Sequence, residues 1–186
     1  MLRKNKFIKY AMGFALLSSS AISMAVTAPG GNVRFTGTIV NAACAVNVGS
    51  MNQTVELGQY RTAKFTKAGD YSGSVPFSIK LEDCDTGVAE KASVSFSGSV
   101  DSTDSTVLSV SNLGGGVSGV ASGVGIEISD STGKIIKPDG SVFSTPQNLN
   151  DGIINILNFT ARYKSTLESV KPGQADADAT FTMQYE

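Results

Sequence analysis

The chain has 186 residues, with 15 Lys and Arg against 16 Asp and Glu, two cysteines, and neither histidine nor tryptophan. That length is enough for one domain with a real hydrophobic core. The missing histidine removes the commonest general base and a standard metal ligand, and the charge balance gives no basic footprint for nucleic acid.

The first twenty-five residues stand apart. Arg3, Lys4, Lys6 and Lys9 form a basic start, Ala11 to Ala21 is apolar and small, and Ser23-Met24-Ala25 supplies small residues for a signal peptidase. This reads as a cleaved signal, cut after Ala25 or, as second choice, after Ala28. A membrane anchor is the alternative, but the apolar run is short of the ~20 residues a span needs. Losing this segment removes four basic and no acidic residues, so eleven basic face sixteen acidic side chains, a net charge of −5.

Val26 to Gly31 is small and Gly-rich, too poor to fold alone. From Asn32 to Val40 the chain alternates, with Val33, Phe35, Gly37 and Ile39 on one side and Arg34, Thr36 and Thr38 on the other. Extended structure is expected to continue through Cys44 to Val48, up to a turn at Gly49-Ser50. Thr54 to Leu57 reads as a short strand ended by Gly58, and Tyr60 to Tyr71 as an irregular connection. Ser74 to Cys84 alternates with Val75, Phe77, Ile79 and Leu81 inward; Pro76, on the outward side, places the strand's start near an edge or bulge.

Ala92 to Val100 gives a strand with Val94, Phe96 and Gly98 in register, and Val107, Leu108 and Val110 follow. Gly114 to Gly125 reads as a loop, Val124 to Asp130 as a strand, and Thr132-Gly133 and Asp139-Gly140 as turns flanking Ile135 and Ile136. Ile153 to Tyr163 supplies another strand, with Phe159, Ala161 and Tyr163 on one face. Pro172-Gly173 turns the chain into the last strand, which puts Ala179, Phe181, Met183 and Tyr185 on one face and Thr180, Thr182 and Gln184 on the other. That strand runs to the end of the sequence with no Pro, Lys or Gly to blunt its outer edge, so it lies inside a sheet or its edge is paired from outside.

Helical periodicity is absent beyond the signal, apart from single turns fitting 61–68 and 84–91. Many short strands separated by Gly, Ser and Asp turns indicate an all-β sandwich. In an exported chain Cys44 and Cys84 can pair as a disulfide; free thiols or half of a metal site is the alternative, with no CxxC spacing to support it. The chain is not read as an enzyme and no cofactor is expected. Nothing resembles GxSxG, and Asp176 with Asp178, like Asp101 with Asp104, reads as solvated charge rather than a carboxylate pair or calcium loop.

Several longer motifs occur in order: Val40-Asn41-Ala42-Ala43-Cys44-Ala45-Val46, Gln53 to Gln59, Leu81-Glu82-Asp83-Cys84-Asp85, Phe159-Thr160-Ala161-Arg162-Tyr163, and Ala179 through Tyr185. With Gly173 and the penultimate Tyr185, they make the whole chain resemble pilins of the chaperone–usher pathway, most of all major subunits of type 1 fimbriae. The resemblance implies an immunoglobulin-like sandwich lacking its final strand, completed by donor-strand complementation. It divides the chain into residues 1–25 as signal, 26–40 as donor extension and 41–186 as the incomplete domain.

Gly31, Val33 and Phe35 would enter a neighbour's groove, beside a strand carrying Gly173, Ala179, Phe181, Met183 and Tyr185. The disulfide Cys44–Cys84 would tie the first strand to the third. The partners it implies are further copies of the chain, a periplasmic chaperone, an outer-membrane usher and adaptor subunits at the fibre tip. The place it implies is an extracellular fimbria reached through the periplasm. A minor or adaptor subunit, or a self-complete secreted binding module, is the alternative. Pro29 cannot donate to a ladder, which limits pairing toward the N-terminus but not from Gly31 onward.

Overall fold

The structure, a computed structural model, describes residues 27–115 and 119–186; the signal reading of residues 1–25 falls outside them. Nine strands follow one another among the described residues: β1 (Ala45–Val46), β2 (Val75–Glu82), β3 (Lys91–Gly98), β4 (Leu108–Ser109), β5 (Val124–Asp130), β6 (Ile135–Ile136), β7 (Gln147–Asn148), β8 (Asn155–Ser165) and β9 (Ala179–Tyr185). The only helical pieces described are single 3-10 turns at Val48–Ser50 and Thr62–Lys64.

One sheet has the order β1-β2-β8-β5-β4, with β6 also on β5, and the other has the order β7-β3-β9. All strand pairs are antiparallel. β8 is the centre of the larger sheet, paired with β2 along one edge and β5 along the other, and its alternation separates a buried from a solvated face. Asn155, Leu157, Phe159 and Ala161 are buried, while Ile156 and Asn158 between them are exposed. Its Phe159 sits in register with Phe77 of β2 on one side and with Asp130 of β5 on the other.

The two sheets meet through aromatic rings. Phe77 stacks on Phe159 at 5.4 Å, and Phe96 of β3 meets both edge-on, at 6.0 Å from Phe77 and 5.3 Å from Phe159. Ile79, Leu81, Val94, Ile128, Ile136 and Leu157 fill the space around them. Cys44 and Cys84 are joined as a disulfide beside this core, where β1 and the end of β2 run together, Ala45 opposite Glu82.

Gly125 of β5 has no room for a side chain. A Cβ there would lie 2.3 Å from Val107 Cγ2 and 2.8 Å from Leu108 O, so only glycine lets β4 close onto β5.

The outer face of the larger sheet carries charge that the sequence does not reveal as paired. Glu127 of β5 is buried and accepts two hydrogen bonds from Arg162, at 3.0 and 2.7 Å, and Arg162 lies over the Tyr71 ring. Lys164 bonds Asp104 at 2.7 Å. Burial alone raises the Asp104 carboxyl, but the Lys164 ammonium and the Thr106 hydroxyl and N–H outweigh it and hold the group down at about 2. The reading of Asp104 as a solvated charge is corrected: β8 places Lys164 against it.

Asp130, buried where β5 ends, organises the β5–β6 turn. It accepts from Thr132 N and Oγ1, Lys134 N and Thr145 N, at 2.9, 2.7, 3.0 and 2.8 Å. Burial pushes its pKa up, but those donors prevail and lower it from 3.8 to about 2. A carboxyl lowered in the folded state stabilises fully above its unfolded value near 3.8, and that contribution fades as pH falls toward 2. Asp130→Ala is therefore expected to cost about 2–3 kcal/mol at pH 7. The gap between the urea midpoints of parent and variant should hold from pH 7 to about 4 and narrow toward pH 2. A gap of the same size at pH 2 would show that the charge is not the cause.

Three expected strands turn out otherwise. Residues 27–40 are exposed and carry no ladder. The extended run expected from Val40 to Val48 shrinks to β1 and a 3-10 turn. Thr54 to Leu57 alternates in burial as a strand does, Val55 and Leu57 half-buried between exposed neighbours, yet it belongs to no sheet. In each case the sequence has strand character, but no backbone ladder of matching length forms among the described residues.

Candidate functional site

β9 is hydrogen-bonded to β3 along its whole length, Ala92 opposite Tyr185 and Gly98 opposite Ala179. Its other edge has no strand beside it among the described residues. Beyond that edge, across a gap, runs the unladdered segment from Met51 to Tyr60. Between the two lies a groove of about 1440 Å³ whose floor is the core itself: Phe77, Ile79, Phe96, Leu108, Ile126 and Ile128. A cleft floored by core side chains and walled by two free backbone edges is what a sandwich leaves when one strand is missing.

Both walls are pinned. Tyr185 donates its hydroxyl to Cys44 O at 3.2 Å, fixing the C-terminal end of β9 to the disulfide. At the other end the Tyr163 and Tyr60 rings meet edge-on at 5.9 Å, and Tyr163 donates to Ala175 O at 2.9 Å. Burial raises the pKa of both Tyr163 and Tyr185, for Tyr163 with help from the Asp176 charge, so both remain donors at neutral pH. Gln53 Nε2 donates to Ser78 O at 3.2 Å, holding the Met51–Tyr60 wall near the free side of β2.

The far end of the groove is closed by a strap. Residues 119–122 and 171–174 exchange backbone bonds: Ala121 N to Gln174 O and Gln174 N to Gly119 O, both 2.8 Å, and Lys171 N to Ser122 O, 3.0 Å. Gly173 is pressed so tightly there that a Cβ would lie 2.3 Å from Gly119 O and 2.5 Å from Ala121 N. Its requirement is close approach rather than an unusual turn.

Of the residues singled out from sequence, Gly173, Ala179 and Phe181 line the groove. Met183 and Tyr185 share their face of β9 but pack on the core beyond the lining, Tyr185 against Cys44. Gly31, Val33 and Phe35 lie in residues 27–38, which separate from the compact unit Ile39–Glu186. Val33 is 72 % and Phe35 90 % exposed. The sequence reading missed the Met51–Tyr60 wall and the strap. The alternation at Thr54 to Leu57 was the available signal for the wall; the strap is built from backbone bonds that leave none.

The profile of the Fimbrial protein family matches residues 33–186. The chain is 54% identical over 161 residues to the fimbrial subunit type 1 of Salmonella typhimurium, covering 87% of this chain and 85% of that one. It is 46% identical over 173 residues to the type-1 fimbrial protein A chain of Escherichia coli K12, covering 92% of each. Among solved structures, a chaperone–usher pilus described for its rod uncoiling matches with TM-score 0.69 and 27% identity, over 88% of this chain and all of the other. The P pilus rod subunit PapA matches with TM-score 0.62 and 26% identity, over 78% of this chain and all of PapA. The sandwich is thus of the immunoglobulin-like pilin type, and the chain belongs to the fimbrial protein family as a subunit of a chaperone–usher pilus.

Proposed function

We propose that this subunit polymerises head to tail, each copy laying its N-terminal segment into the groove of the next. The observation that carries this reading is the groove, floored by Phe77, Phe96 and Ile126 and walled by free backbone on both sides. An entering strand would satisfy backbone groups along both walls while its alternate side chains fill the floor, the mode of β-strand addition. The segment Gly31 to Val40 has the required pattern. Val33 and Phe35 are apolar and exposed, and burying each is worth about 1.5–3 kcal/mol.

Such a contact joins different surfaces of identical chains and does not close, so it grows an open fibre. In the periplasm a chaperone strand would cover the groove until the exchange, an usher would pass the subunits outward, and adaptor subunits would lead the fibre. Adhesion would be a property of the assembled, extracellular filament.

The test is urea unfolding of oxidised residues 41–186 with and without a peptide copying Val26 to Val40. At a peptide concentration a hundredfold above Kd the unfolding free energy should rise by about 2.7 kcal/mol, and a Phe35→Asp peptide should leave the midpoint unmoved. A domain that ignores the parent peptide would be a complete sandwich, and the polymerisation reading would fall.

A further inference from the structure

The Met51–Tyr60 wall runs alongside β2 in the antiparallel sense, yet the two do not pair. Lys80 N donates to Ser50 Oγ at 2.9 Å, Gln53 Nε2 to Ser78 O at 3.2 Å, and the Tyr60 hydroxyl to Gly73 O at 3.4 Å. Residues 52–60 make no ladder and no bridge, although Thr54 to Leu57 has the alternation of a strand. Side chains span the space between the segments where backbone bonds would otherwise draw them together.

The backbone groups on that side of β2 are already taken or missing. Lys80 uses both of its own there, the N–H on Ser50 Oγ and the C=O on Asn47 N, each at 2.9 Å. By the alternation of a strand, Ser78 and Pro76 turn their backbone groups the same way. Gln53 occupies Ser78 O, and Pro76 has no N–H to give. The opposite edge of β2 is filled by β8. Where β1 ends, Ser50 closes a 3-10 turn and Asn52 takes a φ of +50°, so the chain peels away from β2.

The layer in which the wall lies decides what it can do. β2 belongs to the larger sheet and β9 to the smaller, and packed sheets lie about 10 Å apart, against ~4.8 Å between paired strands. A wall laddered onto β2 would join the larger sheet, out of reach of a strand bonded to β9. We propose that Ser50, Gln53 and Pro76 seal the edge of β2 and so keep the wall available to flank a strand entering beside β9. They are positioning residues. This rests on the strand-acceptor reading of the groove and adds what holds its second wall unpaired.

Unsealing the edge therefore has two effects of opposite sign: the empty domain gains a ladder, and the entering strand loses a wall. The test uses the exported chain with Val33→Asp and Phe35→Asp, which silence its own segment, and a peptide copying Val26 to Val40. Amide hydrogen exchange at residues 54–58, the urea midpoint and the peptide Kd are measured on this parent and on Gln53→Val with Pro76→Val. In the parent those amides should exchange fast alone and slowly with peptide. In the double variant they should exchange slowly without peptide, and the urea midpoint should rise. A wall held on β2 for about nine-tenths of the time raises the apparent Kd about tenfold.

A merely structural role would lower midpoint and affinity together, and that outcome would overturn the proposal. Wall amides and a Kd unchanged from the parent would overturn it too, leaving the acceptor groove standing. Pro76→Val alone restores one N–H and should move all three readouts the same way by less. It decides the question if the double variant does not fold. A parent that ignores the peptide removes the acceptor reading, and the sealing role with it.

Discussion

Replacing both cysteines, as Cys44→Ser with Cys84→Ser, is expected to lower the unfolding free energy by about 4 kcal/mol. That is the chain-entropy value for opening a loop of the present separation, 40 residues. Whole domains of this size are stable by only about 5–15 kcal/mol, and this one leaves Phe77 and Phe181 only half-buried at its groove. The variant should therefore unfold at a markedly lower urea concentration than the parent.

The position of the bridge sharpens the expectation. Cys44 carries the carbonyl that receives the Tyr185 hydroxyl, and Asp85 N bonds Ala43 O at 2.8 Å across the same junction. Losing the bridge loosens the end of β9 and the start of the Met51–Tyr60 wall together. Far-UV circular dichroism in a urea series, on oxidised parent and double variant, measures it. Superimposable curves would show that the packed junction, not the covalent link, supplies the stability. Recovery of a folded signal on adding the Val26 to Val40 peptide would show that the weakened domain still presents its groove.

How far the sequence foretold this structure varies with the kind of interaction. The alternation at Ser74 to Cys84 and Ile153 to Tyr163 maps onto β2 and β8 because each has a buried and a solvated face, and burial is what hydrophobic period reports. The turns at Thr132-Gly133 and Asp139-Gly140 were legible because Gly133 and Gly140 adopt φ of +85° and +78°, which glycine tolerates. The last strand was legible, and of the two placements its uninterrupted edge allowed it takes the outer one, with no strand beside that edge among the described residues.

What the sequence hid depends on distant partners. Glu127 looks like an outward residue on a strand, and only the fold brings Arg162 and Lys164 over it. Gly173 stood out by its place before the last strand, but its reason, backbone packed on backbone at Gly119 to Ala121, is tertiary. Thr54 to Leu57 shows the opposite failure. The alternation predicts a short strand, yet the segment joins no sheet among the described residues and is held near β2 through the Gln53 side chain instead.

Phe159→Ala is expected to cost about 4 kcal/mol, nearly as much as opening the disulfide, and it separates the core from the groove. Phe159 is 1 % exposed and lies beneath Phe77 and Phe96, which stack and edge onto it. Truncating it removes a full aromatic face from both at once, and the neighbours on β2 and β5 are tied in register and cannot collapse into the space. Phe77 and Phe96 line the groove, and Phe159 does not. Phe159→Ala should therefore lower the urea midpoint of residues 41–186 while leaving most of the increment gained from the Val26 to Val40 peptide. Phe96→Ala should reduce both the midpoint and the increment, because its ring is part of the surface the entering strand would cover. If the increment falls equally in the two variants, the peptide senses general destabilisation rather than the groove floor. If it falls only for Phe96→Ala, the strand reads the floor through the rings that face it.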